Sequence, residues 1–521
     1  MNKFFTDDII CAPATVPGTG AISIVRVSGN GCIELVDRIL SLKKGKLSEA
    51  LGYTLHYGTV FYTPEDENPA RRGDAGVLSA AGMNAVSVDC REKEEERPAE
   101  VLDDVIVSVF RAPHSYTGED ALEISCHASK FIVSELLRLL VAAGCRLAGP
   151  GEFTQRAFLN GKMDLAQAEA VADVIASSSE ASHRIAMSQM KGGFSKELVT
   201  MRSEMLELAT LMELELDFSE EDVEFADRTR LTGLVDKTTE HIRRLMDSFR
   251  LGNAIRNGVP TVIVGATNAG KSTLLNALLG EERAIVSDID GTTRDTIEET
   301  LNIGGILFRF IDTAGLREST DEIERIGIER SYRKLAEAMV VIVMLDATKT
   351  DGMLSAEFSA LLPLVDFRQQ KLFVVLNKID AISPDDCFNK NVIIENTYVS
   401  YLEGSNDDDS TAETPELNLF QISAKSGRGL SELKSALADS QKSQNGASSE
   451  QTLVTNLRHY QALASTSEAL ARVRLGLADS VPTDLLVQDL REGIDALGEI
   501  VGVISSQEVL NTVFSRFCVG K

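Results

Sequence analysis

Between Val259 and Ile422 short, uninterrupted apolar runs alternate with segments of helical length. The runs are Thr261–Val264, Leu307–Ile311, Val340–Leu345, Leu372–Leu376 and Leu419–Ile422. This is the pattern of parallel strands buried on both faces and joined by crossover helices. Elsewhere the pattern differs. Residues 1–62 are β-rich, and Ala21–Val27, β-branched and bounded by glycines, predicts a strand with turns. Val105–Phe110 predicts another. From about Asp164 to Arg250 the composition is helical, and no proline occurs between Gly151 and Val259. There Leu206, Leu208, Leu211, Leu214 and Leu216 sit among acids in a long amphipathic stretch. Near the end, Leu486, Leu490, Ile494, Leu497 and Val501 recur at helical spacing. Ser505 and Glu508 form a capping box ahead of Val509, Leu510, Val513, Phe514 and Phe517.

Two stretches break the pattern. Residues 63–100 and 383–417 are polar, charged and poor in periodic apolar positions, and are expected to be inserted surface loops. A Ser/Gln-rich stretch, Ser440–Gln451, is expected to be a linker. The simplest arrangement is a helical domain made from two segments, with an α/β domain inserted between them.

A chain of 521 residues implies several cores. Its net charge of −27 argues against a surface that broadly grips nucleic acid. The seven scattered cysteines lack C-x-x-C spacing, as expected of free thiols in a reducing, cytoplasmic compartment. Met1–Asp8 has no apolar core and is not expected to be a signal peptide, and no apolar stretch is long enough to span a bilayer.

Gly265-Ala-Thr-Asn-Ala-Gly270-Lys271-Ser272 fits a phosphate-binding loop between a predicted strand and a helix that includes Thr273. Its backbone amides can close around phosphates, Lys271 can neutralise β/γ charge, and Ser272 offers a hydroxyl to Mg²⁺. Four further elements follow in order. Gly291-Thr292-Thr293 supplies Thr293 as a second Mg²⁺ ligand. Asp312-Thr313-Ala314-Gly315 places Asp312 to hold Mg²⁺ through water and Gly315 to give its amide to a γ-phosphate. In Asn377-Lys378-Ile379-Asp380, the Asp380 carboxylate can accept from guanine N1–H and the 2-amino group, which adenine does not present. Ser423-Ala424-Lys425 can contact the guanine carbonyl. Together these point to GTP.

Leu316 stands where a water-orienting glutamine is usual, and leucine cannot hydrogen-bond water. Arg317, Glu318, Asp321, Glu322 and Glu324 are the nearby candidates for that work, and chemistry does not choose among them. Asn268 can coordinate a monovalent cation beside the phosphates, or can simply suit the turn.

Collinear motifs then identify a family resemblance. They include Asp8–Thr15, Ile24–Gly29, Ser115–Asp120, Pro150–Asn160, Met163–Glu169, Gly291–Asp295, Glu324–Glu329 and Phe517–Lys521. Outside the inserts the chain resembles the bacterial and organellar tRNA modification GTPases of the MnmE/TrmE family. The resemblance implies an N-terminal α/β domain over 1–160 that binds folate and dimerises, and a helical domain over 161–255 and 443–521. It also implies a Ras-like P-loop G domain with a mostly parallel sheet over 256–442. It implies a homodimer that adds an aminomethyl-type group to C5 of the tRNA wobble uridine. The work is shared with an FAD-dependent partner protein, in an expected heterotetramer, and uses 5-formyltetrahydrofolate or a related one-carbon tetrahydrofolate. By resemblance the folate residues are Arg26, Glu123, Lys162 and Lys521, and the K⁺ ligands are Asn268, Ser287, Ile289 and Thr292. Glu324 is the catalytic acid, working with Lys271. The full GTP site adds Ala269, Gly270, Thr273, Asp288, Asp290, Lys378 and Ala424. Thr267 replaces a family proline, and Ala128-Ser129 replaces a family Gly-Gly. An assembly GTPase without modification chemistry is the rival class, and it has no need of Ser115–Asp120 or Phe517–Lys521.

Overall fold

A computed structural model describes residues 8–62, 100–217, 228–280, 299–311, 335–404, 417–445, 452–479, 481–504, 507–515, 517 and 520. Contacts divide the chain into two compact units, Met1–Ala172 with Ile504–Lys521, and Asp173–Val503.

The first unit is built on a seven-stranded sheet in the order β3-β4-β5-β6-β2-β1-β7. Its strands are β1 (Ile10–Pro13), β2 (Ile22–Ser28), β3 (Leu40–Leu42), β4 (Thr54–Tyr62), β5 (Glu100–Phe110), β6 (Ala121–His127) and β7 (Arg146–Leu147). All pairings are antiparallel except β1 with β7. Strand alternation separates the two faces. Val25, Val27, Val105, Val107, Val109, Leu122 and Ile124 are buried in a core with Leu136 and Leu140 of the helix Lys130–Ala143. The opposite face carries Leu55, Tyr57, Ile106 and Ile22, all exposed.

Residues 161–172 and the described residues from Ile504 onward contact this unit. The reason is aromatic and backbone packing. Phe514 of the helix Gln507–Phe514 meets Phe158 with ring centroids 6.4 Å apart. Gly151, at φ 66°, leaves so little room that a Cβ there would lie 2.7 Å from the Phe514 carbonyl.

The second unit contains a bundle and a second sheet. Helices Gly193–Asp217, Arg228–Asn257, Leu457–Ala478 and Thr483–Val501 pack in pairs, the last against the first and the third against the second. Along Gly193–Asp217 the buried side chains include Phe194, Leu198, Met201, Met205, Leu208, Ala209 and Met212. Leu206, expected with the apolar stretch, is 41% exposed, because the 3.6-residue period selects the methionines instead. The capping-box residue Ser505 lies outside the described residues. In Thr483–Val501 the expected apolar positions are buried.

The six-stranded sheet has the order β13-β12-β11-β8-β10-β9. Its strands are β8 (Val259–Val264), β9 (Glu299–Ile303), β10 (Ile306–Phe310), β11 (Val340–Asp346), β12 (Lys371–Asn377) and β13 (Asn418–Gln421), and only β9 runs antiparallel to its neighbour. β9 and β10 are joined at Gly304-Gly305, with φ of 60° and 83°. Two positive-φ residues are what a tight hairpin needs.

Two expectations are corrected. The supposed loop 383–417 contains a helix, Pro384–Gly404. Ser383 caps its start by accepting from the Asp386 amide, and Cys387, Lys390, Ile394 and Tyr398 form its buried stripe. The supposed linker from Ser440 likewise begins inside the helix Leu430–Asn445, where Gln441 is buried.

Among the described residues no helix is long and apolar enough to cross a membrane. The described cysteines, Cys11, Cys32, Cys126, Cys145 and Cys387, are free and buried.

Candidate nucleotide site

β8 sits between β11 and β10, so the loop leaving its carboxyl end opens where the sheet order reverses. Gly265, at φ 148°, begins that loop. A Cβ there would lie 2.2 Å from the Met344 carbonyl, so no larger residue fits. The loop ends in the helix Lys271–Gly280, whose N-terminus carries the positive end of the helix dipole. Lys271 Nζ donates to the carbonyls of Gly265 at 2.7 Å and Ala266 at 2.9 Å. Burial pushes its ammonium below the usual lysine range, against the opposing pull of Glu357. Asn268 is exposed at the crown with φ 65°, a conformation asparagine tolerates, so the turn accounts for this residue without excluding a cation role. Ser272 is half-buried and Thr273 exposed at the helix start.

Asn377, at the end of β12, joins three parts. Its buried side-chain Nδ2 donates to the Ala269 carbonyl at 2.8 Å, and its Oδ1 accepts from the Ala424 amide at 2.9 Å. One carboxamide thus ties the phosphate-binding loop to the loop after β13. Gly270 makes the first contact possible, since a Cβ there would lie 2.2 Å from Asn377 Nδ2. Lys378 follows at φ 67° and pairs with Asp346 Oδ2 at 2.6 Å. Burial alone would raise the Asp346 pKa, but the bonds from Lys378 and Thr348 outweigh it and hold the carboxyl below its ordinary range. Asp380 is exposed, and a hydrogen bond from Ser423, its own amide and the Lys425 charge hold its carboxylate low. Ser423 and Ala424 are buried, and the Ser423 amide donates to the Arg428 carbonyl at 3.0 Å.

The structure thus brings Asn268–Thr273, Asn377, Lys378, Asp380 and Ser423–Lys425 to the carboxyl ends of neighbouring strands. Ser287, Asp288, Ile289, Asp290, Gly291, Thr292, Thr293, Asp312, Thr313, Ala314, Gly315 and Glu324 lie outside the described residues, as do Cys518 and Lys521. Sequence reasoning passed over Asp346 and Glu357. Asp346 ends the apolar run of β11, and that placement was the available signal for it.

In the first unit, Arg26 on β2 lies directly across from Glu123 on β6 and donates to its Oε1 from Nε at 3.0 Å and from an Nη at 2.7 Å. Its other Nη donates to the Gly520 carbonyl at 3.1 Å, and its guanidinium lies 5.6 Å from the rings of both Tyr116 and Phe153. Gly520 itself is seated so closely that a Cβ would lie 2.0 Å from the Pro13 carbonyl. Lys162 Nζ donates to the Pro113 carbonyl at 2.9 Å, and its stem packs on Gly118. The loop between β5 and β6 therefore touches both cations. Met163–Glu169 does what its sequence suggests, with Asp164 and Gln167 exchanging side-chain and backbone bonds at the start of the helix Leu165–Ala176. Ala128 and Ser129, in place of the family's glycines, lie between the end of β6 and the helix Lys130–Ala143, and β6 keeps Glu123 in register with Arg26.

Family comparisons agree with this geometry. The family described as "GTP-binding protein TrmE N-terminus" matches residues 9–162, and "MnmE helical domain" matches residues 165–518. The chain is 46% identical over 516 residues to the tRNA modification GTPase MnmE of Bacteroides thetaiotaomicron, covering 99% of each. It is 47% identical to that of Bacteroides fragilis, again covering 99% of each, and 44% identical over 522 residues to that of Porphyromonas gingivalis, with the same coverage. With two family matches spanning nearly all of its length and relatives alike from end to end, the chain belongs to the family of tRNA modification GTPases named MnmE.

Proposed function

We propose that this chain binds and hydrolyses GTP and applies the turnover to modifying the wobble uridine of tRNA, adding an aminomethyl-type group at C5. The observation that carries the nucleotide reading is Asn377, which ties Ala269 to Ala424 and so sets the spacing between phosphate grip and base grip. Asp380, kept ionised, accepts from the two donors that guanine presents. The half-buried Ser272 hydroxyl at the helix start fits a Mg²⁺ ligand, and Ser272 and Thr293 would hold the ion, which neutralises phosphate charge. The Asn268 side chain at the loop crown fits a K⁺ ligand with Ser287, Ile289 and Thr292, and the ion would add positive charge beside the phosphates. Glu324 orients the attacking water, which Leu316 cannot do, while Asp312 and Gly315 serve the metal and the γ-phosphate.

The N-terminal reading is a folate site made by Arg26, Glu123, Lys162 and Lys521. Arg26 and Glu123 offer a cation and a carboxylate side by side, suited to a ligand with a glutamate tail and an amino-pyrimidine edge. The homodimer draws support from the same sheet face. By strand register, Arg26, Glu123, Ser108 and Leu55 form one row, and Ile24, Ser125, Ile106 and Tyr57 the next, so the apolar face continues from the ion pair. The FAD-dependent partner, the cytoplasmic location and the boundaries 1–160, 161–255, 256–442 and 443–521 belong to the same reading.

The test is nucleotide titration of Asp380→Asn. Asparagine can donate to the 2-oxo group of xanthine, so GTP affinity should fall about a hundredfold and XTP affinity rise. Unchanged GTP affinity would sink the base-reading assignment. Mass spectrometry of wobble uridines from cells lacking the chain tests the second half, and intact modification would refute it.

A further inference from the structure

Glu357 lies on the helix Asp351–Leu361, between the buried Leu354 and Phe358 that seat this helix on the sheet. Its Oε1 accepts from the Ala266 amide at 2.7 Å, and its Oε2 accepts from Lys349 Nζ at 2.7 Å. The Ala266 amide and the Gly265 carbonyl belong to one peptide group. That carbonyl accepts from Lys271 Nζ at 2.7 Å. A single peptide is therefore held at its N–H end by a carboxylate and at its C=O end by an ammonium. An acceptor on the N–H and a donor on the C=O oppose any flip of that peptide, because a flip would break both bonds. The neighbouring Gly265 has φ 148° and no space for a side chain, so its own backbone conformation is open to glycine alone and the peptide needs an external hold. Glu357 is well placed to give one: its side chain is 14% exposed and that of Lys349 21%, so the bonds are only partly screened by water.

We propose that Glu357 is a positioning residue for nucleotide binding: by fixing the Gly265–Ala266 peptide it sets where Lys271 stands and how the phosphate-binding loop closes. This rests on the GTP reading above. Glu357 touches neither phosphate nor water in this account. It acts through the loop, and the property it needs is an acceptor at the right distance from the Ala266 amide.

Three substitutions in the full-length chain separate that property from charge and from simple stability. Glu357→Gln keeps the acceptor and its reach but loses the charge. Glu357→Asp keeps the charge but is shorter by one methylene. Glu357→Ala loses both. Affinity for a slowly hydrolysed GTP analogue would be measured by calorimetry with Mg²⁺ and K⁺ present, and KM and kcat for GTP in the same buffer. The Ala and Asp variants should weaken binding and raise KM about tenfold, as expected for loss of one half-buried hydrogen bond, with kcat within about threefold of wild type. The Gln variant should bind within about threefold of wild type. If Ala does not fold, the contrast between Asp and Gln decides. An Asp variant that binds like wild type, or a Gln variant as weak as Ala, would overturn the proposal, and so would a fall in kcat at constant KM. A wild-type chain that failed to bind the analogue would instead remove the GTP reading itself, and this inference with it.

Discussion

In the six-stranded sheet every residue of Val340–Asp346 is buried, and the polar chemistry lies at or beyond the strand ends. In the seven-stranded sheet buried and open residues alternate, and Arg26 and Glu123 stand on the strands themselves. The difference follows from what covers each sheet. A strand covered on both faces has no room for a polar side chain along its length, so function moves into the loops, where consecutive residues act together. A strand open on one face can carry function at alternate positions, and its partners come from other strands. The first arrangement writes compact motifs, and the second writes isolated charges.

This contrast can be pressed where each region keeps its buried polar groups. Arg156, with its side chain 3% exposed, anchors the N-terminal unit by pairing with Asp8 Oδ1 at 2.6 Å and with Glu119 and Glu152 at 3.3 Å. Arg156→Ala should destabilise that unit by about 3–5 kcal/mol, because it removes a buried guanidinium shared by three half-buried carboxylates, of which only Asp8 and Glu152 keep Arg146. Urea unfolding of the full chain would check this, and nucleotide affinity should not move. A loss below about 1 kcal/mol would mean that the site relaxes freely.

Asn377→Ala should cost the inserted domain about 2–4 kcal/mol, since it strands the buried Ala269 carbonyl and Ala424 amide together. GTP binding should fail in parallel, by calorimetry. If stability falls and affinity does not, the two loops are spaced by something other than this side chain, and the contrast between the regions weakens.

The smallest effect is acid sensitivity. Burial alone would raise the pKa of both Asp8 and Glu152, but Arg146 and Arg156 more than offset it, and both carboxyls are held below their ordinary values. The unfolded chain then binds more protons than the folded one. Their contribution is fully present above the unfolded pKa values and is lost as pH falls through the folded ones. Unfolding free energy measured from about pH 6 to pH 3 should therefore decline at the acid end, and less steeply in Arg156→Ala. An unchanged slope would show that Arg146 alone sets these carboxyls.

The contrast also explains what was legible in the sequence. The runs that became β8, β11 and β12 stood out because burial on both faces demands continuous apolar residues. Asn377 and Ser423 were legible because each sits immediately beyond such a run, and Lys271 and Asp380 because each stands in the motif that follows one. Arg26 and Glu123 are separated by most of the N-terminal unit and meet only through strand register, which composition does not reveal, and only family resemblance found them. β9 was missed because an edge strand alternates, although Gly304-Gly305 marked its hairpin. The helix Pro384–Gly404 was missed because polar residues cover all but one stripe. Glu357 looked like any surface acid, since nothing local shows which backbone amide it faces.

The chain leaves the helical bundle at Asn257 and returns to it at 452–456, and these two crossings touch. A Cβ on Gly252 would lie 2.2 Å from the Val454 carbonyl, and the Val454 amide donates to Ser248 Oγ at 3.1 Å. Gln189 holds the returning segment by donating to the Leu453 carbonyl at 3.0 Å, and Phe249 stacks on Tyr460 at 4.7 Å just beyond it. On a ribosome, then, the bundle is a promise kept late. Helices Gly193–Asp217 and Arg228–Asn257 emerge early and must wait with their apolar faces uncovered until Leu457–Ala478 and Thr483–Val501 arrive. By then the inserted domain can have folded by itself, and its adjacent ends turn a long, costly closure into a short one.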